Sequence, residues 1–153
     1  MTIASIVRSV EVKTSPQRAF DLFTRHFGSW WPKGRTPAPS PHVDVVLEPR
    51  PDGRWFEVDA DGAETHWGKV LIWDPPGRLV LAWQLTAGFK YDPELLTEVE
   101  LTFAPSGDGT RVTLEHRNLE RFGADAERIS GLLGGGWPGF LNGYATYVAN
   151  HQD

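Results

Sequence analysis

Between Val43 and Arg117 the chain is divided into short apolar segments, each closed by a turn signal, and this rhythm restricts the fold more than any other feature. Val43 to Glu48 reads as a strand, and Pro51-Asp52-Gly53 as the hairpin turn after it. Arg54 to Asp59 is the next strand, closed by Asp61-Gly62, a dipeptide suited to positive φ. Residues 65–73 and 79–85 form two more, joined by Asp74-Pro75-Pro76-Gly77. Residues 97–104 and 111–117 make a last hairpin around Ser106-Gly107-Asp108-Gly109. Consecutive strands with short turns pair as an antiparallel meander, because parallel neighbours need long crossovers.

The last hairpin shows which face is buried. Val99, Leu101 and Phe103 alternate with Glu98, Glu100 and Thr102, and Val112, Leu114 and His116 alternate with Thr113, Glu115 and Arg117. One face is apolar and the other wet, so another element must cover the first. Like charges directly across a ladder repel, which favours Glu100 opposite Arg117 over Glu100 opposite Glu115. The cover is the C-terminal segment, where Phe140, Leu141, Tyr144, Tyr147 and Val148 form one stripe of a helix starting near Pro138. A shorter helix is expected over about Asp125 to Leu133, with Gly134-Gly135-Gly136 as a hinge between the two.

Before the meander, residues 3–13 are strand-like, and Ser15-Pro16 reads as an N-cap followed by Pro in the first turn. Ala19, Phe20, Phe23 and Phe27 recur at helical spacing to about His26, with Gly28 as the stop. Trp30-Trp31-Pro32 follows, with room for one more helical turn, and then an irregular loop, Lys33 to His42, containing Pro37, Pro39 and Pro41. The fold class expected is α+β: about seven antiparallel strands in a curved sheet, two short helices after the first strand, and a long helix across it. A length of 153 residues suits a single domain, 1–153.

Composition removes whole classes of function. With no cysteine, disulfide scaffolds, thiolate zinc sites and thiol nucleophiles are excluded. The net charge is −5, and nine basic against eighteen acidic side chains after His42 leave no basic stripe for nucleic acid. The longest apolar runs, such as Leu79 to Trp83, fall far short of a membrane span, and no secretory stretch opens the chain. A cytoplasmic location is the expectation.

Motifs are sparse. Gly134-Gly135-Gly136-Trp137-Pro138-Gly139 satisfies the G-x-G-x-x-G pattern, but no strand leads into it and no βαβ unit surrounds it. The five histidines (26, 42, 66, 116, 151) have no i, i+4 spacing, so neither a metal nor a cofactor is implied. His116 stands out because strand parity places it on the apolar face, either as a hydrogen-bonded core residue or as a polar contact inside a cavity. Glu57, Asp59, Asp61, Glu64, Glu98 and Glu100 read as a solvated face rather than paired acid–base groups. Seven Trp, eight Phe and three Tyr serve either as solid core or as the walls of a hollow.

The order of elements resembles the helix-grip fold of the START-like SRPBCC superfamily. Within it the chain is similar to bacterial proteins like the C-terminal domain of the activator of heat-shock protein 90 ATPase. The resemblance covers about Val10 to Val148 and rests on Trp30-Trp31-Pro32, Leu47-Glu48-Pro49-Arg50 and Gly53-Arg54-Trp55-Phe56-Glu57. It continues through Trp67-Gly68-Lys69-Val70, Trp73 to Leu79, Leu81-Ala82-Trp83-Gln84, Leu114-Glu115-His116-Arg117 and Gly135 to Gly139. It implies a cavity between the long helix and the sheet, and no catalytic motif. The eukaryotic activators carry a separate N-terminal domain that engages the chaperone, whereas this chain begins at the first strand.

Three functions compete. The first is a binding module enclosing an apolar or aromatic small molecule, lined by Phe23, Trp31, Trp83, His116, Phe140 and Tyr144, with His116 and a Tyr hydroxyl orienting a polar group. The second is a cyclase or aromatase-type enzyme with His116 as general acid–base. The third is a co-chaperone-like module binding a protein partner through an acidic face around Glu98, Glu100 and Glu115.

Overall fold

The computed structural model describes residues 3–32, 42–86, 88 and 90–151. β1 (Ile6–Val12) leads into α1 (Pro16–Arg25) and the single turn α2 (Phe27–Trp30). Then come β2 (His42–Leu47), β3 (Arg54–Asp59), β4 (Glu64–Asp74), β5 (Arg78–Trp83), β6 (Thr97–Ser106) and β7 (Gly109–Arg117). A 3₁₀ segment (Leu119–Asp125) and α3 (Ala126–Ala149) complete the described chain. The proline-rich loop read from the sequence lies, up to Pro41, outside the described residues, and His42 opens β2.

The start of α1 follows its local chemistry. The Ser15 hydroxyl accepts from the Arg18 N–H at 3.1 Å, and Pro16 occupies the first turn, where a missing donor costs nothing. Ala19, Phe20, Phe23 and Phe27 are all buried. Gly28 does not act as the stop expected of it. It lies inside α2, and a Cβ there would collide with Asp44 and Val45 of β2. The glycine is needed for close approach of helix to strand.

All seven strands join one antiparallel sheet in the order β1-β7-β6-β5-β4-β3-β2. Register shifts at His42/Asp44, Trp55/Phe56 and Val70/Ile72 mark extra residues in β2 (Val43) and twice in β4 (Trp67 and Leu71). Such bulges bend a strand and increase its twist, so the sheet curls into a trough. The trough is lined by Leu79, Leu81, Trp83, Val99, Leu101, Phe103, Val112, Leu114 and His116, all buried. The inward alternation read from the last hairpin therefore holds, His116 included.

The register of that hairpin differs from the expectation. Glu100 stands opposite Glu115, and Arg117 stands opposite Glu98. The two-residue turn Gly107-Asp108, with Gly107 at φ +58°, fixes this pairing together with the apolar pairs Leu101–Leu114 and Phe103–Val112. Repulsion is relieved diagonally: the Arg117 guanidinium donates to Glu100 at 2.6 Å and to Glu98 at 2.8 Å, and Arg78 donates to Glu100 at 2.6 Å. Turn geometry and burial outweigh one half-buried like-charge pair whose charges Arg117 and Arg78 compensate.

The second correction concerns the C-terminal helix. No hinge interrupts it: α3 runs continuously through Gly134-Gly135-Gly136 and Pro138. Pro138 has no N–H for the Gly134 carbonyl four residues back, which normally weakens or breaks a helix. Here the Arg8 guanidinium of β1 donates to that carbonyl at 3.1 Å. The orphan acceptor is satisfied from the sheet. Trp137, Leu141, Tyr144 and Val148 of α3 are buried, while Phe140 and Tyr147 are half-buried.

Gly131, Gly135 and Gly139 are exposed in α3, with no neighbouring atom within 4 Å of an added Cβ. Packing does not require glycine at these positions, so its main effect is to weaken the helix. Alanine at all three should raise stability by about 2 kcal/mol, since each exchange in a helix interior is worth roughly 0.5–1 kcal/mol. Urea unfolding checks this, and an unchanged midpoint would show that α3 gains nothing from helix propensity. No described helix is long and apolar enough to cross a membrane.

Candidate functional site

Aromatic rings from the sheet, α1, α2 and α3 converge beneath α3. Trp31 stacks on Phe140 with ring centroids 4.2 Å apart, and Phe23 meets Tyr144 edge-on at 5.2 Å. Trp83 lies 5.4 Å from His116. These three pairs account for all six residues read from the sequence as lining a ligand site, and Trp30 links the first two through Phe23, Trp31 and Tyr144. The hub was missed. Trp137, buried in α3, touches Trp31, Trp83, His116 and Phe140 with centroids 5.6–6.1 Å away. Its spacing of four and seven residues before Leu141 and Tyr144 was the available signal; the hinge expected beside it concealed the continuation of the stripe.

His116 is held by a closed hydrogen-bond chain. The Thr97 hydroxyl has one proton and lies 2.9 Å from the Trp83 carbonyl, to which it donates. It therefore accepts from His116 Nε2, also at 2.9 Å. The Trp137 indole, which can only donate, gives its N–H to His116 Nδ1 at 3.2 Å. This pattern requires the neutral tautomer with the proton on Nε2. Burial pushes the pKa of His116 down to about 3. A general base needs a free lone pair and a pKa near the working pH, and His116 has neither in this state.

Tyr144 is similarly occupied: its hydroxyl donates to the Ala19 carbonyl at 2.7 Å, and burial pushes the phenol far above its usual range. Both sequence-assigned polar handles thus serve the protein itself.

Glu57 corrects the reading of the acidic residues. It is fully buried rather than solvated, and its Oε1 accepts from the Trp67 indole N–H at 3.0 Å. Parity with Trp55 was the signal, since residues two apart on a strand share a face. Asp61 and Glu64 are exposed as expected, whereas Glu98 and Glu100 are half-buried in ion pairs. The face around Glu98, Glu100 and Glu115 is charge-compensated by Arg117 and Arg78 rather than simply acidic. Among the described residues, no group of three His, Asp or Glu is arranged to hold a metal.

Two clefts among the described residues open near this interior. One of about 260 Å³ is bounded by Thr86, Gly88, Asp92, Leu95, Arg121, Phe122 and Asp125. Phe122, half-buried, also lies 6.5 Å from the His116 ring. It connects the cleft to the aromatic interior.

A curled antiparallel sheet of seven strands, with short helices after the first and a long helix laid across its trough, defines a START-like helix-grip domain. Residues 13–149 match the family described as activator of Hsp90 ATPase homolog 1-like protein, and the chain belongs to that family. Among solved structures it is similar to the anthrahydroquino-gama-pyrone synthase Txn09, with 36% identity, 95% of this chain and 97% of that one covered, and a TM-score of 0.67. It is also similar to CalC, a self-sacrificing resistance protein of Micromonospora echinospora, with 30% identity, 96% and 95% covered, and a TM-score of 0.71. The protein MLL2253 of Mesorhizobium loti, 19% identical over 98% and 99% of the two chains with a TM-score of 0.71, shares the fold. No curated protein matches the sequence.

Proposed function

We propose that this protein encloses an apolar, aromatic small molecule between the trough of the sheet and α3, in contact with Phe23, Trp31, Trp83, His116, Phe140 and Tyr144. The observation that carries the reading is the convergence of rings under a helix that is weak where it covers them. Gly131, Gly135 and Gly139 flank Trp137, and movement of those turns would lift the Trp137 ring away from Trp31, Trp83 and His116. Planar rings stack well against such walls. Similarity to Txn09, named a synthase of a polycyclic aromatic product, supports the same chemical class.

Tryptophan fluorescence and native mass spectrometry with a panel of polycyclic aromatics and lipids test the proposal. Saturable binding of the aromatics is expected; no response to any of them would overturn it in favour of a solid core. The synthase relative favours a second reading, turnover of the enclosed molecule. His116 would then act by position rather than by proton transfer, since both its ring nitrogens are engaged. Turnover of an active substrate that collapses in H116Q with a shifted pH profile would restore His116 as an acid–base group.

A further inference from the structure

The polar groups that the sequence assigned to a ligand are taken by the protein: His116 by Thr97 and Trp137, Tyr144 by Ala19. Trp55 behaves differently. It is 1% exposed, and its indole Nε1–H has no hydrogen-bond acceptor among the described residues. An indole nitrogen can only donate, and a buried donor left without an acceptor is rare in native proteins. Its neighbour Trp67, 5.3 Å away by ring centroid, has its own acceptor in Glu57.

Trp55 also belongs to the interior just described. Its ring lies 5.9 Å from Trp83 and 5.6 Å from Phe27, and Phe27 stacks on Trp31 at 5.2 Å. The donor is thus carried by a residue that contacts the proposed lining directly.

We propose that Trp55 determines ligand specificity by donating its Nε1–H to an oxygen acceptor on the enclosed aromatic molecule. The acceptor is a neutral carbonyl or ether oxygen, because burying an anion on a single N–H among aromatic rings carries a large desolvation cost. This inference rests on the ligand-binding reading and adds the chemical class that the site selects: planar aromatics bearing an acceptor oxygen over their hydrocarbon counterparts.

The matched probes 9-fluorenone and fluorene, which differ by one carbonyl, separate this inference from the reading beneath it. Equilibrium dialysis of the full chain should show fluorenone binding roughly tenfold more tightly, the usual effect of satisfying a buried donor. In Trp55→Phe that preference should disappear, the ratio of fluorenone to fluorene affinity falling to about one. Equal affinities in the unaltered protein, or a preference that survives in Trp55→Phe, would overturn the role of Trp55 and leave the binding reading standing. Failure of both probes to bind the unaltered protein would overturn both.

A second measurement covers the case in which Trp55→Phe does not fold. The Trp55 indole N–H resonance of the unaltered protein should move downfield with fluorenone and much less with fluorene. A resonance unmoved by bound fluorenone overturns the proposal.

Discussion

Replacing Trp137 by alanine should cost this protein about 4–5 kcal/mol of stability, the upper part of the range for deleting a buried aromatic side chain. The ring is enclosed by Trp31, Trp83, His116 and Phe140, drawn from both sides of the helix–sheet interface, so its removal leaves a cavity that rigid rings cannot readily fill. It also removes the donor to His116 Nδ1 and leaves a buried acceptor without its partner. Trp137→Phe separates the two effects, since it keeps an aromatic ring and loses the N–H. An intermediate loss of about 2 kcal/mol is expected for it. Urea unfolding followed by circular dichroism measures both, and a loss below about 1 kcal/mol for Trp137→Ala would remove Trp137 as the hub.

Acid should destabilise the fold well before its carboxylates titrate. In the unfolded chain His116 takes up a proton near pH 6.5, whereas in the folded protein burial holds its pKa at about 3. Between these values the unfolded state binds a proton that the folded state refuses. Stability therefore falls as pH falls, by about 1.4 kcal/mol per unit once well below 6.5, and the effect is absent above neutrality. By pH 4.5 this one group should have removed roughly 2–3 kcal/mol. Glu48 and Glu100, whose arginine partners hold their pKa low, add their losses only below the normal glutamate range. Stabilities from unfolding curves at pH 7.5, 6.5, 5.5 and 4.5 should fall more steeply with falling pH for the unaltered protein than for H116Q. Parallel losses in the two proteins would show that His116 is not the buried neutral imidazole described here.

The legible parts of the fold were those set by local rules. Strand alternation in Val99 to Phe103 and Val112 to His116 identified the buried face, and Ser15-Pro16 identified the start of α1. The six residues read as lining a site come together in ring contact under α3. Two of the errors share a cause, which is that a distant group changed the local outcome. Gly134-Gly135-Gly136 read as a hinge because glycines weaken a helix, but the helix continues into Pro138, and Arg8 of another strand donates to the Gly134 carbonyl that the proline leaves without a donor. Glu57 read as solvated because carboxylates usually are, but Trp67 donates to it within the interior.

By itself, the sequence determined the order of elements, the antiparallel meander and the inward side of each strand of the last hairpin. These follow from side-chain periodicity and turn chemistry, which act over a few residues. Tertiary structure alone decided which polar groups are satisfied. His116 is locked between Thr97 and Trp137, Tyr144 is tied to Ala19, and the Trp55 N–H is left without an acceptor among the described residues. Hydrogen bonds need donor and acceptor within about 3 Å, and only folding brings residues far apart in the chain to that distance.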